Sequence, residues 1–108
     1  GCDELALESF FFGARGWVSV VANAFPKLAS DLFETAANDK DYEKAKKIYN
    51  KLLPFCIELE SSGKLVQVVK YIMDKRGVCG GYSRNPKLPL TDVHKEKIDK
   101  MLKEADVL

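Results

Sequence analysis

"GARGWVSVVANAFPKL", residues 13–28, is the stretch on which the fold turns. Within it, Trp17-Val18-Ser19-Val20-Val21 is a short apolar, β-branched run set between a glycine and Asn23. Such a run reads as a buried strand over 17–21. A strand leaves N–H and C=O groups bare on both edges, and these need partners. No convincing second strand occurs elsewhere in the chain.

Helices surround the run. Residues 3–12, "DELALESFFF", begin with Asp3 and Glu4, carboxylates that suit the positive end of a helix, and stop at Gly13. After the run, "ANAF" (22–25) is a turn. Pro26 then opens a helix to about Ala37, at the position where its missing N–H costs nothing. "NDKD" (38–41) separates it from a helix over 41–61, where Ala45, Ile48, Tyr49, Leu52, Cys56 and Leu59 keep a spacing of three and four. Pro54 lies inside and predicts a kink. "SSG" (61–63) breaks the pattern before an amphipathic helix over 64–76. Glycines and prolines make 77–90 a loop, and Thr91 caps a last helix to about Ala105. No repeat or low-complexity tract is present.

A helix on each side of one continuous apolar strand is the unit of an α/β fold with a parallel sheet, whose strands are buried on both faces. The chain supplies one such strand. It therefore reads as the C-terminal part of a larger α/β fold whose other strands lie on residues outside it. A free-standing copy would leave strand edges bare and favour association. The competing architecture is a helical bundle in which 17–21 is helical or a buried loop.

The 108 residues are 46% apolar and 31% charged, with 17 basic and 16 acidic side chains interleaved. That balance gives no electrostatic case for nucleic acid or an anionic membrane. Apolar runs of about five residues fall far short of the roughly 20 that a membrane span needs. Asp3, Glu4 and Glu8 stand where a signal peptide would be basic and then apolar. The first residue is not Met, so processing or a longer parent is expected. Cys2, Cys56 and Cys79 are odd in number and far apart, which predicts free thiols in the cytoplasm, with neither a disulfide framework nor a metal site. His94, the single histidine, sits on the charged last helix.

In parallel α/β folds, ligands bind outside the carboxyl ends of the strands. "GCDE" (1–4) and "ANAF" (22–25) hold those places. Asp3 and Glu4 could bind hydroxyl or amino groups of a substrate, or only cap a helix; Asn23 could serve a ligand or its own turn. Ser19 and Ser30 lack triad partners, and no phosphate loop follows the strand. Lys27 reads as a solvated charge, and Phe10–Phe11–Phe12 as core or interface.

Together, "GCDE", "GARGWVSVVANAFPKL" and "DYEKAKKIYNKLLP" (41–54) resemble the C-terminal third of the dihydrodipicolinate synthase / N-acetylneuraminate lyase family, over essentially the whole chain. The resemblance implies the end of a TIM (β/α)8 barrel over 1–37, holding helix seven, strand eight (17–21) and helix eight. A helical extension over 38–108 follows, and the chain itself is mostly α. It implies class I aldolase chemistry. A lysine on strand six forms a Schiff base with pyruvate or another 2-oxo acid, and a tyrosine on strand five moves protons. Both lie outside this chain, which then has no catalytic residue of its own and no cofactor. The implied partners are the 2-oxo acid, an aldehyde or sugar acid, the N-terminal remainder of the barrel, and further copies in a dimer or tetramer. Gly1 and Val18 match the wall around the pyruvate moiety, and Asp3 and Glu4 the residues that hold a polyhydroxy tail.

The chain departs from the family patterns in three places. It has Gly1-Cys2-Asp3-Glu4 where lysine-biosynthetic synthases commonly show "GDD", and "SSGKLVQVVK" (61–70) where they carry a "PNPIPVK"-like stretch. Val20 stands where sialic-acid lyases place a serine. A 2-keto-3-deoxy sugar-acid aldolase or dehydratase of the same family fits these residues at least as well. A non-catalytic helical binding or assembly module is the reading from another class.

Overall fold

The computed structural model describes residues 1–107. A 3₁₀ turn, Asp3–Leu5, leads into α1, Ala6–Phe11, which ends as expected at Gly13 with a positive φ of 92°. α2, Pro26–Phe33, starts on its proline and continues as a π-helical turn, Glu34–Asn38. Asp41 caps α3, Tyr42–Ser61, by accepting from the Lys44 N–H at 3.2 Å. α4 spans Leu65–Lys75 and α5 spans Asp92–Ala105. Thr91 caps α5 through the His94 N–H at 3.2 Å, as its place before an amphipathic run predicts.

The strand expected over 17–21 is not formed. Residues 14–19 have no regular structure, Val20 is a bend, and Val21–Asn23 make a 3₁₀ turn. The described residues contain no strand at all. β-structure is a property of a pair: without a neighbour to exchange hydrogen bonds, an apolar β-branched run has no ladder to join. The apolar content is instead split between inside and outside. Val21 is fully buried, Trp17 half-buried, and Val18 93% exposed.

The core runs through every helix. α3 contributes Ala45, Tyr49, Leu52, Phe55, Cys56 and Leu59, the stripe its spacing of three and four predicts. Val21 and Phe25 pack into the same core, with Val68 and Ile72 of α4 and Ile98 and Leu102 of α5. The Phe25 ring lies 4.8 Å from that of Phe55, and the Arg76 guanidinium stands 4.7 Å over its centroid. Arg76 also donates to the Val107 carbonyl, fastening residue 107 to the end of α4. No helix among the described residues is long and apolar enough to cross a membrane.

Candidate functional site

The first turn and the 14–21 segment are held together by one carboxylate. Asp3 is 2% exposed, an unusual place for a charge unless it is fully hydrogen-bonded. Oδ2 accepts from the Val21 N–H at 2.6 Å, and Oδ1 from the Trp17 indole N–H at 3.0 Å. The Ser19 hydroxyl stands at 3.5 Å from Oδ2, and it also accepts from the Ala22 N–H at 3.1 Å. The carboxylate therefore does for residues 17–21 what a neighbouring strand would otherwise do. Its oxygens face that segment and not the N-terminus of its own helix, so Asp3 is a clamp where the sequence suggested a cap or a ligand.

The clamp sets the outward face. With Val21 and Trp17 tied inward, Val18 projects into solvent. Phe10, the inward member of the Phe10–Phe11–Phe12 run, packs edge-on against Trp17 and Phe33, at 5.8 and 5.5 Å. Phe11 is half-exposed against Tyr42, and Phe12 is 92% exposed. A cavity of about 320 Å³ lies between this segment and α2, lined by Trp17, Ser19, Ala22, Ala29 and Phe33 among others. Gly1 and Glu4 lie at the chain start, Gly1 exposed and Glu4 half-buried, and neither lines that cavity; nor does Val18. Asn23 turns its amide back onto the Val20 carbonyl at 3.0 Å and serves its own turn. Lys27 is a solvated charge paired with Asp31 at 2.6 Å.

Behind the clamp, Tyr49 of α3 donates to the Glu4 carbonyl. Burial, with the Glu8 carboxylate next, pushes its phenol up to about 12. Burial likewise pushes the Cys56 thiol up to about 12, with Asp3 and Glu4 adding to the effect. Cys56 is therefore a protonated core residue, while Cys2 and Cys79 are exposed free thiols. Among the described residues no lysine is buried, and Lys64, Lys70 and Lys95 are half-buried. Among the described residues, no group of three or more His, Cys, Asp or Glu side chains could hold a metal.

Two polar clusters escape a reading by sequence. Glu58 of α3, 5% exposed, accepts from Lys97 Nζ and pairs with His94 Nε2, each at 2.5 Å, and so joins α3 to α5. Burial raises the Glu58 pKa, but the hydrogen bonds from Lys97 and His94 outweigh it and hold the carboxyl below its ordinary range. The available signal was a glutamate between Ile57 and Leu59 at the rim of an apolar stripe; its partners lie a whole helix away. The second cluster lines a cavity between α4 and the 77–90 loop.

A model of the dihydrodipicolinate synthetase family matches residues 1–105. Over the whole chain the sequence is 36% identical to the 4-hydroxy-tetrahydrodipicolinate synthase of Bartonella bacilliformis, covering 36% of that protein. It is 31% identical to the enzyme of the same name from Methanocaldococcus jannaschii, covering 37%. A crystal structure described as that of a dihydrodipicolinate synthetase from Pseudomonas aeruginosa superposes on 97% of the chain. The TM-score is 0.85 and the identity 30%, over 36% of that protein. The chain thus spans little more than a third of the length of the relatives it matches.

Proposed function

The chain belongs to the dihydrodipicolinate synthetase family, and from that premise we propose that it is the C-terminal part of a pyruvate-dependent Schiff-base lyase. In this reading residues 1–37 close a TIM barrel and residues 38–108 form a helical extension. The observation that carries it is the family match over residues 1–105 of a chain little more than a third as long as its relatives. In this reading the exposed Phe12 and Val18 face the remainder of the barrel, supplied by residues outside the chain.

The reactive lysine then lies in that remainder. It takes pyruvate or a related 2-oxo acid as a Schiff base, with no cofactor, and the resulting nucleophile adds to an aldehyde. The relatives' shared name of synthase favours the condensation direction. Gly1 and Val18 form part of the wall around the pyruvate moiety. Glu4 reaches the partner substrate, and Asp3 supports both by holding Trp17 and Val21 and thereby aiming Val18. The protein works in the cytoplasm as a dimer or tetramer.

The test is a pyruvate-condensation assay on the intact gene product that contains this chain. Glu4→Ala should raise KM for the aldehyde partner about tenfold, the worth of one charge-assisted hydrogen bond, with pyruvate KM unchanged. Val18→Ala should raise pyruvate KM. No pyruvate-dependent turnover would leave the non-catalytic helical module as the better reading.

A further inference from the structure

A half-open cavity of about 580 Å³ lies away from the Asp3 clamp, between α4, the 77–90 loop and the start of α5, a size that suits a small organic molecule. Three residues of α4 at helical spacing hold the loop across it. Gln67 Nε2 donates to the Leu88 carbonyl at 3.1 Å, and Lys70 Nζ to the Tyr82 carbonyl at 2.8 Å. Asp74 Oδ1 accepts from the Gly80 and Gly81 N–H groups at 2.8 and 3.2 Å. A Cβ at position 80 would stand 2.1 Å from the Lys70 carbonyl oxygen, so only glycine lets the loop approach α4 this closely. The cavity is thus built by the fold and is not a gap under a loose loop.

Its chemistry is uneven. Lys87 and Lys95 line it, and among the described residues neither forms an ion pair. Two carboxylates stand near it, Asp74 among its lining residues, and each already has partners. Asp74 holds the loop glycines, and Asp99 accepts from the Tyr71 hydroxyl at 2.9 Å while pairing with Lys75 at 3.5 Å. Lys95 Nζ lies 5.9 Å from the centroid of the Tyr71 ring, within cation–π range. Tyr82 at the rim is 96% exposed, an aromatic face with nothing on it.

We propose that this cavity is a binding site for a small carboxylate with a flat apolar body. The carboxylate pairs with Lys87 and Lys95, and the flat body lies against Tyr71 and Tyr82. The site does not depend on the lyase reading, since none of its residues belongs to the clamp.

Isothermal titration of the intact protein with 4-hydroxybenzoate, paired with hydrogen-exchange mapping, tests it. Saturable binding should protect residues 67–74 and 80–90. The uncharged 4-hydroxybenzyl alcohol should not bind measurably. Lys87→Ala and Lys95→Ala should each weaken 4-hydroxybenzoate about tenfold, whereas Lys100→Ala, on an outer face of α5, should not. Tyr82→Ala, at a side chain too exposed to matter for folding, should weaken it as well. The proposal fails if no saturable binding is seen or if protection falls elsewhere. It fails equally if the neutral alcohol binds as well, or if the Lys87, Lys95 and Tyr82 variants bind like Lys100→Ala.

Discussion

Asp3 shows what one buried carboxylate decides. Its two strong bonds, to a backbone N–H and an indole N–H, leave both donors unpaired if it is removed. Asp3→Ala should cost about 2–4 kcal/mol of stability, with Asp3→Asn milder because it keeps an acceptor. Denaturant unfolding followed by the fluorescence of Trp17, the only tryptophan, reads the change directly. Glu58 gives the pH dependence. Its folded pKa lies below its unfolded one, so its stabilisation is complete above the ordinary glutamate range of about 4.3 and is lost as pH falls through the lowered folded value. Glu58→Gln should therefore cost about 1–3 kcal/mol near neutrality, and the two proteins should converge in acid. Thermal melts at a series of pH values check this. Cys56 should resist a thiol reagent that labels Cys2 and Cys79, and should react only on unfolding.

At the scale of elements, the helices were legible and the apolar run was not. Gly13, Pro26, Asp41 and Thr91 mark helix ends through local chemistry, and the sequence places the ends within a residue or two of the observed ones. The π-helical turn after α2 was missed, because the contacts of Thr35 that accompany it are not encoded in a period. Its hydroxyl donates to the Asp31 carbonyl at 2.7 Å, and its own carbonyl accepts from the Asp41 N–H. Residues 17–21 were read by composition, and composition cannot supply the neighbour that makes a strand. The site was half legible. Asp3 stood out as an acidic residue near a loop, but its partners at 17, 19 and 21 depend on how the chain folds back. α5 docks through Ile98 and Leu102, both fully buried, and through Glu58. Leu102→Ala should cost about 2–5 kcal/mol and, in hydrogen exchange, release α5 before α3.

Across the whole molecule, α3, α4 and α5 bury apolar stripes against one another, while Phe12 and Val18 beside the Asp3 clamp, and Tyr82, Leu88 and Val93 in and after the 77–90 loop, stand exposed. The family match runs along nearly the entire chain, to proteins almost three times as long, and in the proposed reading the rest of a barrel covers Phe12 and Val18. The most direct measurement is borohydride reduction of the intact gene product in the presence of pyruvate, followed by peptide mapping of the trapped adduct. The expected result is one modified lysine, located outside residues 1–108. An adduct on a lysine of this chain, or no adduct at all, would contradict it.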